Sequence, residues 1–153
     1  MNSRTVASLF LLGCTACAQD SMSVDDLLSA DVVSGQSPAT YVAEHPNAVV
    51  IFASPETCFS CQGPLLRILQ QRAAPHKATA LYLTNPPDRP MRNLLVQYRL
   101  HETGILRVPP RVRTKQLTVV QLRAGKLTRS WANPTAEELL RVVASTGSDV
   151  EGR

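Results

Sequence analysis

The apolar run AVVIFA, residues 48–53, is the sequence feature that most constrains the fold. Its six residues are all apolar, with no polar residue at alternate positions. Such a run is typical of a strand buried on both faces, as in a parallel sheet covered by helices. With 153 residues, 44% of them apolar, the chain is long enough to form one domain around a real core.

Two of the four cysteines follow this run, in TCFSC at 57–61. The next segment, to about residue 73, predicts a helix with Leu65, Ile68 and Leu69 on its apolar face. A C-x-x-C pair between a buried strand and a helix has three interpretations. It is a redox dithiol, half of a metal site, or two small core residues without chemistry.

The rest of the chain alternates between strand and helix patterns. Ser37 and Asp88 are predicted helix N-caps, and Asn133 or Thr135 is predicted to cap the last helix. Arg123-Ala124-Gly125 predicts a three-residue hairpin turn. The predicted order is β-α-β-α-β-α-β-β-α, which indicates an α/β fold with a central mixed sheet flanked by helices. This domain covers 30–146, between an N-terminal segment at 19–29 and a tail at 147–153.

The first residues resemble an export signal. Arg4 supplies a positive charge, and VASLFLLG (6–13) a short apolar core. Two cleavage patterns overlap after it. LLGC (11–14) resembles a lipobox that leaves a lipid on Cys14, and ACA (16–18) would start the mature chain at Gln19. We predict an exported, periplasmic protein, either soluble with a signal over 1–18 or anchored as a lipoprotein with a signal over 1–13.

The net charge of +4 is unevenly distributed. Six acids and no Lys or Arg lie between Asp20 and Glu56, whereas ten basic residues and one acid lie between Arg89 and Arg129. A solvated basic face is one interpretation, and a surface that attracts an acidic partner is the other. No nucleic-acid partner is predicted, because no aromatic residues interleave with the basic ones.

The segment IFASPETCFSC, within this element order, resembles the thioredoxin fold and its exported TlpA/redoxin-type variants. The resemblance covers about residues 30–145. It implies a cis-proline that faces the dithiol just before the penultimate strand, and Pro109 in RVPPR is the best match, with Pro110 as the alternative. About eight residues separate Pro109 from TVVQL, whereas the family strand follows at once. Thr57 stands where the family usually has tryptophan, and AVVIFA lacks the buried acid.

The resemblance implies a thiol–disulfide oxidoreductase without a cofactor. Cys58, at the helix start, is the expected nucleophile, because the amides and dipole of a helix N-terminus stabilise a thiolate. Cys61 is expected to lie further in, shielded, and to resolve the mixed disulfide. The expected partners are protein thiols and disulfides of the cell envelope and an unidentified electron donor or acceptor.

Two alternatives stay open at this point. One is a thioredoxin-fold binding or assembly protein in which Cys58–Cys61 is a structural disulfide. The other is an exported copper carrier, although the cysteine spacing is one residue short and the three histidines show no pattern. No metal ligands are therefore assigned.

Overall fold

The computed structural model describes residues 22–73, 78–109 and 117–145. The predicted signal segment with Cys14, the alternative proline Pro110 and the tail at 147–153 lie outside these residues. None of the described helices is long and apolar enough to cross a membrane.

Five helices and six strands occur in the described residues. The helices are α1 (Val24–Leu28), α2 (Pro38–Glu44), α3 (Phe59–Ala73), α4 (Arg89–Gln97) and α5 (Ala136–Ser145). The strands are β1 (Val32–Gly35), β2 (Ala48–Ala53), β3 (Ala78–Leu83), β4 (Gly104–Leu106), β5 (Thr118–Arg123) and β6 (Lys126–Ala132). The predicted α/β class is confirmed, and its element order is present with two additions, α1 and β4.

The strands form one mixed sheet in the order β1-β4-β3-β2-β5-β6. β2, β3 and β4 are parallel, and β1, β5 and β6 join by antiparallel pairing. β5 therefore lies inside the sheet beside β2, and of the two hairpin strands only β6 forms an edge. The short β4 pairs with β1, so β1 becomes the opposite edge.

β2 is buried on both faces, as its apolar run predicts. Val49 and Ile51 pack on the side covered by α3, α4 and α5, which we call the α3 face. Val50 and Phe52 pack on the opposite side with Leu27 of α1 and its neighbours in α2. Alternate residues of a strand point to opposite faces, so a strand between two helical layers has to be apolar throughout.

The helix starts follow the predicted caps. The side chains of Ser37 and Asp88 accept hydrogen bonds from the amides three residues on, at 3.2 and 2.8 Å. Thr135 caps α5, because its hydroxyl accepts from the amide of Glu138 at 3.3 Å. Asn133, the other predicted cap, instead accepts a hydrogen bond from the Leu117 amide at the start of β5. In α5 the inward residues are Leu139 and Val142, whereas Leu140 is half exposed.

Candidate active site

A short turn joins the end of β2 to the cysteines. The Thr57 amide donates to the Ser54 carbonyl at 2.9 Å, and the Ser54 amide donates to the Thr57 hydroxyl at 3.3 Å. The Ser54 hydroxyl also accepts from the Glu56 amide at 3.2 Å. Ser54 is buried, so these bonds satisfy polar groups that water does not reach. The turn therefore fixes the position from which Cys58 leaves the sheet.

Cys58 occupies the N-cap position of α3. Its carbonyl accepts from the amides of Cys61 and Gln62, at 3.2 and 3.1 Å, which are the first hydrogen bonds of the helix. The next residue, Phe59, is buried in the core of the α3 face and anchors the first turn. An N-cap side chain lies beside the unpaired amides of that turn. The predicted location of Cys58 at the helix start is therefore the observed one.

The two cysteine sulfur atoms lie close together at the surface. Cys58 Sγ and Cys61 Sγ are 2.6 Å apart, and both residues are exposed. A disulfide between them needs little movement, because the S–S bond length is about 2.05 Å. A substrate sulfur can approach either atom from solvent.

The expectation that Cys61 is shielded is wrong. The inward stripe of α3 consists of Phe59, Leu66 and Leu69, and all three are buried. At about 100° per residue, Cys61 lies on the opposite side of the helix from Phe59. The sequence pattern predicted an apolar face of Leu65, Ile68 and Leu69, of which only Leu69 is buried and the other two are partly buried. That shift of the stripe produced the wrong orientation for Cys61.

Gly63 and Tyr98 form a close contact that was not predicted from the sequence. A Cβ atom on the buried Gly63 would overlap the ring of Tyr98, which follows α4. The signal was a glycine inside a helical pattern, because such a glycine often marks a close approach. This contact fixes α4 against α3 within one turn of Cys61.

Pro109 is not the predicted cis-proline. The peptide bond between Val108 and Pro109 is trans, as are all the other peptide bonds among the described residues. Pro109 is exposed and follows β4, which β3 separates from β2. β4 was not predicted as a strand. Pro109 was expected before β5, which is the next described strand after it, and residues 110–116 between them lie outside the described residues.

The residue directly before β5 is Leu117, which is buried. Its amide donates to Asn133 Oδ1 at 2.9 Å, and its carbonyl accepts from the Asn133 amide at 2.7 Å. Asn133 has a φ of 47°, a left-handed conformation that asparagine tolerates better than most residues. The pair joins the start of β5 to the end of β6. Trp131 of β6 is partly buried and packs on the α3 face.

Metal ligands are not clustered in the described parts of the chain. No group of three or more His, Cys, Asp or Glu side chains in a position to bind a metal ion occurs there. Of the three histidines, His45 contacts Tyr41 in a tilted arrangement, with ring centroids 4.5 Å apart. The His101 backbone exchanges hydrogen bonds with the Gln70 side chain. His76 lies outside the described residues.

Two solved structures resemble the chain. One is a secreted disulfide oxidoreductase of Mycobacterium tuberculosis, homologous to E. coli DsbE, with 23% identity and a TM-score of 0.49, covering 80% of this chain and 99% of its own. The other is an exposed lipoprotein thioredoxin of Streptococcus pneumoniae, with 13% identity and a TM-score of 0.40, covering 68% and 89%. No family model and no curated protein matches the chain.

Likenesses this distant say nothing by themselves about the activity of the chain. Its own architecture says more about the fold. Parallel central strands, a C-x-x-C at the start of the helix that follows β2, and a closing hairpin and helix were the features predicted for this fold, and all are present. The chain is a thioredoxin-like α/β protein.

Proposed function

We propose that this protein catalyses thiol–disulfide exchange in the bacterial cell envelope through the Cys58-Phe59-Ser60-Cys61 dithiol. The observation that carries the proposal is the 2.6 Å separation of two exposed cysteine sulfurs at the start of α3. Sulfurs so placed can interconvert between dithiol and disulfide without rearranging the core.

The proposed reaction proceeds in two exchanges. The Cys58 thiolate attacks one sulfur of a substrate disulfide, forms a mixed disulfide and releases the other substrate sulfur as a thiolate. The Cys61 thiolate then attacks Cys58 Sγ, which releases the second substrate thiolate and leaves a Cys58–Cys61 disulfide. Two electrons pass from the protein to the substrate, and the reverse sequence oxidises a substrate dithiol.

The N-cap position supports Cys58 as the nucleophile. The amides of the first helical turn and the helix dipole favour a negative charge there. Cys61 sits within the first turn of α3, close enough to attack Cys58 but further from the helix start. Because both residues are exposed, this division of roles rests on position in the helix and not on shielding.

The proposed compartment rests on the export pattern at residues 1–18. In an oxidising compartment a dithiol is maintained only by a dedicated electron partner. The proposed partners are therefore protein thiols or disulfides of the envelope, together with one electron donor or acceptor.

Trapping tests the proposal. Cys61→Ser should accumulate mixed disulfides with envelope proteins, because the attack by Cys58 proceeds and its resolution does not. Cys58→Ser should trap few or none. The measurement is non-reducing electrophoresis of protein from cells treated with a thiol-blocking reagent, followed by mass spectrometry of the trapped partners.

Equilibration with glutathione buffers supplies the second measurement. A potential near −270 mV would place the pair with reductases, and one near −120 mV with oxidases. If neither variant traps a partner and the wild-type disulfide resists dithiothreitol, the protein is the structural-disulfide alternative. Stoichiometric copper binding by the reduced pair would favour the copper carrier. Equal trapping by both variants would contradict the assigned roles.

A further inference from the structure

A small cavity lies on the β5–β6 hairpin, away from the dithiol. Its volume is about 270 Å³, and the described residues that line it are Gln121, Arg123, Thr128 and Arg129. β5 runs antiparallel to β2, so Thr118 pairs with Phe52 near the dithiol, whereas Gln121 pairs with Val49 near the other end of β2. The cavity is therefore separate from the proposed active site.

Gln121 is a buried polar residue of the central sheet. Its side chain is on the α3 face by alternation with Val119, and only 3% of the residue is exposed. Its Nε2 atom has no hydrogen-bond partner among the described residues. A buried donor without an acceptor costs on the order of 1–3 kcal/mol. An acceptor held in the adjacent cavity would remove that cost.

A β-bulge in the hairpin places the Arg129 side chain beside the Gln121 amide. Gln121 pairs with Arg129 and Leu122 pairs with Leu127, so Thr128 is an extra residue on β6. The Thr128 hydroxyl donates to the Gln121 carbonyl at 2.9 Å and holds the bulge. Residues directly opposite in an antiparallel pair share a face of the sheet. Arg129 and Gln121 are therefore neighbours at the cavity.

We propose that this cavity binds a small oxyanion, a carboxylate or a phosphate, through the Gln121 side-chain amide and the Arg129 guanidinium. No acidic residue is among the described residues that line the cavity, and Arg129 is exposed, so its charge is accessible from solvent. The volume of the cavity is below the roughly 300–1,000 Å³ of pockets that hold drug-sized ligands. It suits a single anionic group rather than a nucleotide.

Titration of the ¹⁵N-labelled full chain with inorganic phosphate, and separately with acetate, tests the site. Ionic strength is held constant with chloride, so general screening is equal throughout. The Gln121 side-chain amide resonance should shift and saturate. Gln121→Leu and Arg129→Gln should each weaken the affinity at least about tenfold, since each removes a hydrogen bond to a charged group.

Lys126→Gln is the matched control, because Lys126 has the same charge on the same hairpin and does not line the cavity. It should change the affinity less than about twofold, as expected of an exposed charge outside the site. Saturation by phosphate alone identifies a phosphate site, and saturation by both identifies a site that also accepts protein carboxylates.

The proposal is overturned if no resonance saturates, if Lys126→Gln weakens binding as much as Arg129→Gln, or if Gln121→Leu binds as tightly as wild type. Should Gln121→Leu fail to fold, the exposed substitution Arg129→Gln decides the question. Cys58→Ser should leave the anion affinity unchanged. The result therefore does not depend on the dithiol chemistry.

Discussion

At the scale of single residues, the hydroxyl of Thr57 has a structural role next to the nucleophile. It accepts a hydrogen bond from the Ser54 amide at 3.3 Å, and Ser54 is buried at the end of β2. The resemblance to redoxins indicates a tryptophan at this position, so the sequence alone gave no role to Thr57. A threonine can close the turn by itself because its side chain reaches back to the backbone three residues earlier.

Thr57→Val should lower the free energy of unfolding by about 1 kcal/mol, because a partly buried amide loses its acceptor while the side-chain shape is kept. Urea denaturation measures the change. Thr57→Ser retains the hydroxyl and should stay within about 0.5 kcal/mol of wild type. Equal midpoints for Thr57→Val and wild type would show that this hydrogen bond contributes nothing to stability.

The cysteine positions were predictable from the sequence, and the orientation of Cys61 was not. A C-x-x-C motif directly after a buried apolar run indicates that both cysteines lie between a strand and the helix that follows it. The exposure of Cys61 depends on which stripe of α3 faces the sheet. Leu65, Leu66, Ile68 and Leu69 are all apolar, so the pattern permits two stripes about one residue apart. Only the packing of Phe59 and Leu66 against the sheet selects one of them.

At the scale of elements, the β5–β6 turn differs from the predicted three-residue hairpin. The turn has two residues, Ala124 and Gly125, with φ angles of 51° and 73°. Positive φ at both central residues defines a type I′ turn, which favours Asn-Gly. Two hydrogen bonds to the residues just before β2 stabilise this turn, although alanine occupies its first central position. The Ala124 amide donates to Asn47 Oδ1 at 3.0 Å, and the Gly125 amide donates to the Pro46 carbonyl at 2.9 Å.

Ala124→Asn should stabilise the protein by about 1 kcal/mol, because asparagine adopts the left-handed conformation at lower cost than alanine. For a chain of this size, we expect a rise of about 2–4 °C in the melting temperature. Scanning calorimetry measures it. Ala124→Val is the opposite control and should lower the melting temperature, since β-branched residues are strained at positive φ. Shifts of the same sign in both variants would contradict this account of the turn.

The missed strand β4 also belongs to this scale. It has three residues, one of them Gly104, and a run that short shows no readable alternation. Its identity comes from its partners, since it pairs with β3 on one side and with β1 on the other. Such long-range pairing is absent from any local pattern.

At the scale of the whole molecule, the layered α/β architecture was predictable because one strand required it. A run that is apolar at every position needs a helical layer on each side, and both are present. The strand order was less accessible, because β5 takes its place beside β2 through tertiary pairing. The charge asymmetry along the chain also gave no indication of the cavity at Gln121. That cavity depends on the bulge at Thr128.

The export proposal also belongs to this scale. Mass spectrometry of the protein produced in a Gram-negative host should show loss of the first 18 residues, or of the first 13 with a lipid added to Cys14. Fractionation should place the shorter product in the periplasm and the lipidated one in the membrane. Ala18→Leu should block cleavage after residue 18 and leave the lipoprotein route intact. An intact Met1 in the cytoplasmic fraction would contradict the proposed compartment.

The central position of β2 has a consequence for the proposed export of the chain. β2 pairs with β5, which comes far later in the sequence. In a chain exported from its N-terminus, β2 can pair with β3 early, but its second neighbour β5 emerges much later. During that interval an unpaired edge of β2 is open to any extended segment, the usual starting point for aggregation. The architecture that protects β2 in the folded protein therefore leaves one edge of this strand unpaired until β5 is available.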